Sequence, residues 1–240
     1  MILPTQDGQD KASALIDNVY DGLGERYLED GYFADRAILT PLNVDVLKLN
    51  DRAIDSIPGE TRKYVSVDTI EDAQGSDTST FPEEFLNSLR ISGMPPHKLN
   101  LKVGAPIILL RNINGESGLC NGTRLQVCHM HDHYIEAKVM TIVIPRILLI
   151  SYNSGHPFEL RRRQFPVQLA FAMTINKAQG QTLKELGIYL PQPVFAHGQL
   201  YVALSRATSR QHVKIAVDYN VHQEGNGYCM LNVVYHGIAN

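Results

Sequence analysis

Thr174, Asn176, Lys177, Gln179, Gly180, Gln181 and Thr182 fall within nine positions, directly after the apolar run from Val167 to Met173. A run of that length and bulk predicts a buried strand. Its end in amide, hydroxyl and ammonium groups puts hydrogen-bond donors at the carboxyl edge of a sheet, where open α/β sheets bind ligands. Gly180 permits a sharp turn or a close backbone approach to a ligand. Taken alone, the same residues also describe a strand running into an ordinary capped turn. A second candidate is Arg206, behind Ser205 in the helix-like segment from His197 to Ser209. Its planar, permanently charged fork suits a transferring phosphoryl group, and it suits a surface ion pair equally well.

Two further clusters have chemical potential. His129, His131 and His133 beside Cys128 predict three imidazoles on one face of a strand, within reach of a metal. No fourth ligand or second pair stands at a suitable spacing, so a solvent-facing hairpin is the preferred reading and no metal site is assigned. Arg161, Arg162 and Arg163 form a basic run that is either solvated or aimed at a phosphate backbone.

These residues need elements to position them. Apolar positions from Ala14 to Tyr27 recur at three- and four-residue steps, which predicts one amphipathic helix over 11–28, weakened by Gly22 and Gly24. Residues 37–40 predict a strand. Val44, Leu47, Ile54 and Ile57 predict a helix capped by Asn43 and stopped by Pro58-Gly59. Residues 68–82 read as an acidic, hydroxyl-rich connecting loop and 83–91 as a short helix. Turn signals at Gly115–Gly118 and Asn121-Gly122 separate strands predicted at 99–110, 123–128, 134–143 and 147–152, a small all-β module of roughly 60 residues. Strands at 167–173, 186–190 and 213–217, with a helix at 197–205, resume an α/β pattern. The fold class is therefore α/β interrupted by an all-β module, with boundaries near 67/68 and 160/161.

Composition bounds the reading further. The 240 residues are 44% hydrophobic and 20% charged, enough for one sizeable core or two small ones. No apolar run approaches a membrane span, and no basic-then-apolar leader is visible, so no membrane association is expected. Cys120, Cys128 and Cys229 form no Cys-x-x-Cys pair and leave an odd count, which points to a reducing compartment. Net charge is −3, but its distribution is uneven. Residues 1–100 hold 9 Lys and Arg against 18 Asp and Glu, while residues 101–240 hold 13 against 7. A polyanion would be bound by the second part.

Phe165 to Thr182 and His197 to Ser209 resemble motifs V and VI of superfamily-one helicases, in the forms written by the Pif family of 5′-to-3′ DNA helicases. The likeness extends to the branch found in Helitron transposons. Ala37 to Val46 resembles the family's motif IV region. Phe81 to Leu89, Gly93 to His97, Leu99 to Gly104, Leu109 to Asn112 and Gly118 to Arg124 resemble its inserted 2B domain. Ile144 to Arg146 and Arg161 to Pro166 resemble the return to the core, so the ordered set spans nearly the whole chain.

The resemblance implies a second RecA-like helicase core domain, 2A, over residues 1–67 and 161–240. A linker and an SH3-like 2B module over 68–160 would interrupt it. The resemblance further implies that Thr40, Asn43, Thr174, Asn176 and Lys177 touch single-stranded DNA, and that Gln179, Gly180 and Thr182 approach ATP. Arg206 would be the catalytic arginine that reaches the γ-phosphate. Asn176 stands where many relatives write histidine. The family's cofactors are ATP and Mg²⁺, and its work includes DNA repair, recombination and telomere maintenance. Neither a Gly-x-x-x-x-Gly-Lys-Ser/Thr loop nor an acidic motif after a strand occurs in the sequence. A missing N-terminal RecA-like domain is therefore an expected partner, and the chain alone is expected to be inactive as an ATPase. The alternatives are an ATPase-inactive fragment that binds single-stranded DNA, or a transposon-derived remnant. The expected location is intracellular, in the nucleus, with the mitochondrion as the alternative.

Overall fold

The apolar run from Val167 to Met173 folds as two strands in two different sheets, and the chain divides between them. The structure is a computed structural model. It describes residues 10–71, 81–138, 141–152, 155–219, 222–224, 227–229 and 232–233. The elements begin with α1 (Lys11–Val19), α2 (Leu23–Arg26), β1 (Arg36–Thr40), α3 (Asn43–Asp55), β2 (Arg62–Val65), β3 (Val67–Glu71) and α4 (Glu83–Ser88). Then come β4 (Lys98–Leu101), β5 (Pro106–Leu109), β6 (Arg124–Met130), β7 (Tyr134–Lys138), β8 (Ile142–Pro145), β9 (Ile147–Ile150) and β10 (Glu159–Gln164). The last are β11 (Val167–Leu169), β12 (Ala172–Thr174), β13 (Glu185–Leu190), α5 (Gln199–Leu204), β14 (Val213–Val217), β15 (His222–Glu224) and β16 (Gly227–Cys229). One compact unit takes the residues up to 57 and from 170 onward, and the other takes 58–169. These boundaries differ from those expected at 67/68 and 160/161, because β2 pairs with β4 and β10 pairs with β3 and β9.

The first unit is α/β. Its sheet is parallel, in the order β12, β1, β13, β14. Helix α1 lies against β13 and β14, and α3 lies against β12 and β1. The helices bury Leu15, Ile16 and Val19 from α1 and Val46, Leu49 and Ala53 from α3. Gly187 in β13 permits this approach, since a Cβ there would stand 2.8 Å from Val19 Cγ2 and 2.9 Å from Ile38 Cγ1. The single helix expected over 11–28 is two, because Gly22 takes a left-handed φ of 69° between α1 and α2. Asn43 does not cap α3: Leu42 holds that position without a side-chain bond, and Asn43 is the exposed first residue of the helix.

The second unit pairs its strands antiparallel, with the short α4 beside β3. A five-stranded sheet runs β11, β5, β6, β7, β8; a three-stranded one runs β3, β10, β9; β2 and β4 form a pair. The strand expected over 99–110 is broken at Gly104, φ 85°, and its halves join different sheets. The one expected over 134–143 becomes β7 and β8. Of the expected loop 68–82, residues up to 71 form β3, and 72–80 lie outside the described residues.

Strand alternation decides what the basic run does. Arg163 faces solvent, but Arg162 is 1% exposed and stands opposite Asp68 in the β10–β3 register. Its Nε donates to Asp68 Oδ1 at 2.9 Å and its Nη2 to Asp68 Oδ2 at 2.6 Å. The remaining N–H groups reach the carbonyls of Leu86, Leu89 and Pro95 at 3.1, 3.3 and 3.0 Å. With every guanidinium donor engaged inside the unit, Arg162 is not a phosphate contact. Ser66 Oγ donates to Asp68 Oδ1 at 2.7 Å and lies 2.8 Å from His97 Nδ1. Since the one hydroxyl proton goes to Asp68, His97 Nδ1 carries the donor in that pair.

Two outcomes follow from this network. Asp68→Ala strands a buried guanidinium and is expected to lower stability by about 3–5 kcal/mol in urea unfolding. The double replacement Asp68→Leu with Arg162→Met should be less destabilising than Asp68→Ala, with the three carbonyls still lacking donors. The second outcome concerns pH. Burial lowers the pKa of His97, and Arg162 adds to this, against the pull of Asp68. The unfolded chain therefore binds the proton more readily. The stability contribution of neutral His97 is complete above its ordinary pKa of about 6.5 and is lost as pH falls through the lower folded value. Unfolding midpoints of the parent and His97→Gln, measured from pH 8 down to 5 (roughly the imidazole range), should converge or cross on the acid side.

Candidate functional site

β12 and β1 are parallel neighbours with Thr174 opposite Thr40, so both threonines stand at the carboxyl edge of the sheet. Thr40 is fully buried, and its Oγ1 has no hydrogen-bond partner among the described residues. Thr174 caps a 3-10 helix over Ile175–Ala178, its Oγ1 accepting from the Lys177 N–H at 3.4 Å. Asn176 is exposed on this turn. Lys177 is half-buried, and desolvation lowers its pKa. No carboxylate pairs with it among the described residues. Asn43 is exposed in the first turn of α3, just past the end of β1.

The remaining polar residues do not stay at that edge, as the sequence alone had suggested. The segment from Gln179 to Lys184 carries the chain toward the amino end of β13, where the Lys184 and Glu185 N–H groups both donate to the Asp35 carbonyl. Gly180 takes a left-handed φ of 86° on the way, and Gln179, Gly180 and Thr182 are exposed. Leu183 then forms a parallel bridge with Ala207: its N–H donates to the Arg206 carbonyl at 2.9 Å, and its carbonyl accepts from Thr208 at 3.1 Å. The two sequence segments singled out for chemistry are thus bonded to each other.

Arg206 follows α5, whose Ala203 packs with Ala178 of the 3-10 helix in one core. Its Nε donates to the Val202 carbonyl at 3.2 Å, Nη1 to the Gln181 carbonyl at 3.3 Å and Nη2 to Ser205 Oγ at 3.0 Å. All three partners are neutral, so the surface ion pair left open by the sequence is absent among the described residues. The guanidinium is thereby held at the Gln181 carbonyl, between exposed Gly180 and Thr182. Such an arrangement can steady an anion of several oxygens.

Asn50 was not singled out by the sequence, yet its side-chain amide bonds both backbone groups of Ala172. A polar residue on the buried face of α3, beside Leu49 and Ala53, is the signal that points to it. The histidine cluster does not gather as a metal site. His129 Nδ1 and His131 Nε2 lie 3.2 and 3.5 Å from the two oxygens of Glu136, and no group of three metal donors occurs among the described residues. Cys120 and Cys128 are free thiols.

Residues 84–130 match the family described as DNA helicase Pif1, 2B domain. The human ATP-dependent DNA helicase PIF1 is 31% identical over 193 residues, which cover 78% of this chain and 28% of the human protein. The ATP-dependent DNA helicase Pif1 of Campylobacter jejuni is 28% identical over 220 residues, covering 86% of this chain and 46% of that protein. The solved Pif1 helicase from Candida albicans matches with a TM-score of 0.59 at 25% identity, covering 90% of this chain and 54% of that one. Bacteroides Pif1 bound to ssDNA matches with a TM-score of 0.55 at 27% identity, covering 76% and 40%. The chain therefore spans well under two thirds of the length of these relatives.

The desolvated ammonium of Lys177 provides a direct check of this geometry. Nitrogen-resolved titration of methyl-labelled lysines should place Lys177 below the ordinary lysine value of about 10.4. A titration at that ordinary value would mean that the side chain is solvated.

Proposed function

The matched part of the chain is Pif1-family ATP-dependent DNA helicase sequence on an α/β fold, and from that premise we propose that it translocates along single-stranded DNA as part of the motor. In this reading the first unit is the second RecA-like domain, 2A, and the second unit is the SH3-like 2B module. The observation that carries it is the bonding of Leu183 to Ala207 and of Gln181 to Arg206, which ties the connection after α5 to the crossover that begins at the Thr174 cap. Two chemistries then sit on one short stretch of backbone.

At the carboxyl edge, Asn43, Thr174 and Asn176 offer neutral donors to a phosphodiester backbone, and Lys177 supplies a charge that burial leaves poorly hydrated. Thr40, opposite Thr174, is fully buried and supports that edge without reaching the DNA strand. A weakly hydrated ammonium without a carboxylate gains more from a phosphate than a solvated one. Further along, Gln179, Gly180 and Thr182 approach the nucleotide, and Arg206 is the cation that steadies the γ-phosphate as charge spreads over its oxygens. ATP with Mg²⁺ supplies the phosphoryl group to be cleaved. The chain has no P-loop sequence, so phosphate and Mg²⁺ ligation fall to a first RecA-like domain. A shift of the crossover on ATP turnover would move the DNA-contacting turn with it. Work on DNA sets the compartment inside the cell, the nucleus first and the mitochondrion second. No helix among the described residues is long and apolar enough to cross a membrane.

The chain is expected to bind single-stranded oligonucleotides in a salt-sensitive manner and to turn over no ATP by itself. Lys177→Ala should weaken the binding, read by fluorescence anisotropy. Joined to a P-loop domain, the assembly should hydrolyse ATP on addition of single-stranded DNA, with Arg206→Ala costing about 10³-fold or more in turnover. Binding without turnover in the joined protein would favour a DNA-holding fragment. An absence of binding even at low salt would remove the reading.

A further inference from the structure

We infer that Asn50, outside both motif segments, is a positioning residue for the phosphate-contacting turn that follows β12. β12 is three residues long and is the edge strand of its sheet, with β1 on one side. On its other side the Asn50 side chain takes the place of a strand. Its Oδ1 accepts from the Ala172 N–H at 2.8 Å, and its Nδ2 donates to the Ala172 carbonyl at 3.3 Å. That is the exchange a paired residue of a neighbouring strand makes.

Asn50 is 3% exposed and shares the buried face of α3 with Leu49 and Ala53. An apolar residue there would spare the desolvation of an amide, but it would leave two backbone groups of Ala172 buried without partners. The double bond to one residue also fixes the strand along its axis, where three residues of ladder hold register weakly. Ala172 stands two residues before Thr174, whose hydroxyl caps the turn that carries Lys177. Position therefore passes from α3 through Ala172 to the Lys177 ammonium. The inference rests on the reading of Lys177 as a phosphate contact.

The test uses the whole chain, with oligothymidylate binding followed from about 50 to 200 mM salt. One phosphate contact on a single strand contributes about 0.7 to the slope of log affinity against log salt. Asn50→Ala and Lys177→Ala should each lose that amount, and the double variant should lose no more than either. Simple destabilisation would leave the slope of the folded molecules unchanged. Asn50→Asp, which keeps the acceptor and the size, replaces Asn50→Ala if the latter does not fold, and should lose a smaller amount. Amide exchange in Asn50→Ala should quicken over residues 172–178 and stay at the parent rate over 213–217.

A parental slope in Asn50→Ala, or losses that add in the double variant, would overturn the inference. If the parent itself binds no DNA, the proposed function falls and exchange alone decides: acceleration confined to 172–178 supports positioning by Asn50, and acceleration spread across the sheet overturns it.

Discussion

Phe171 and Ala172 are the residues through which the chain re-enters the first sheet, and bonds from three elements converge on them. The Phe171 carbonyl accepts from the Ile38 N–H at 3.0 Å and from the Tyr20 hydroxyl at 2.5 Å. Ala172 is held by Asn50. The Phe171 ring meets Tyr20 and Phe33 edge-on at 5.6 and 5.7 Å, an arrangement that aromatic quadrupoles favour. Each hydrogen bond contributes about 1 kcal/mol net, yet leaving any of these buried groups unpaired costs more than the bond gains. The pinning matters because every candidate residue from Thr174 to Thr182 follows within ten positions. A loosely held re-entry would displace all of them together.

The second unit is organised around a different constraint, a charge removed from water. The Asp68–Arg162 pair sits beside the apolar cluster of Leu86, Met94, Leu149, Phe158 and Leu160. Desolvating two ions is offset only when the geometry is good and the remaining donors are satisfied. Here the bonds to Leu86, Leu89 and Pro95 meet that condition, and they tie α4 and the turn after it to the three-stranded sheet. One side chain thereby orders a stretch that has little regular structure of its own.

The cations of the molecule divide by what they face. Arg162 is neutralised by a carboxylate; Lys184 and Arg52 pair at the surface with Asp35 and Asp10. Arg206 donates to neutral groups, and no carboxylate pairs with Lys177 among the described residues. An uncompensated charge held by its own backbone is ready for an anion without first breaking an ion pair, and preorganisation of this kind is where electrostatic binding and catalysis gain most. Lys177 lies on the crossover from β12 to β13 and Arg206 on the connection from β13 to β14. Events at one bear on the other through the Leu183–Ala207 bridge and the Arg206 bond to the Gln181 carbonyl. This gives the proposed coupling between nucleotide and DNA a short physical route.

Local pattern determined a good deal by itself. The strand at 213–217, the strand ending at Thr40, the α/β character and the all-β insertion follow from hydrophobic period and turn residues, which are local properties. The polar cluster after Met173 and the arginine after Ser205 were legible because such residues are conspicuous beside apolar runs. Other features depended on distant partners. Val167 to Met173 has the composition of one buried strand, and only pairing, with β5 on one side of Ala170 and β1 on the other, splits it. Arg161 to Arg163 reads as one basic run, and only the register opposite Asp68 turns Arg162 inward. Asn50 looks like an ordinary helix residue until Ala172, 122 positions away, offers it both backbone groups. Period and propensity are set by neighbours in sequence, whereas burial of charge and satisfaction of edge strands are set by neighbours in space.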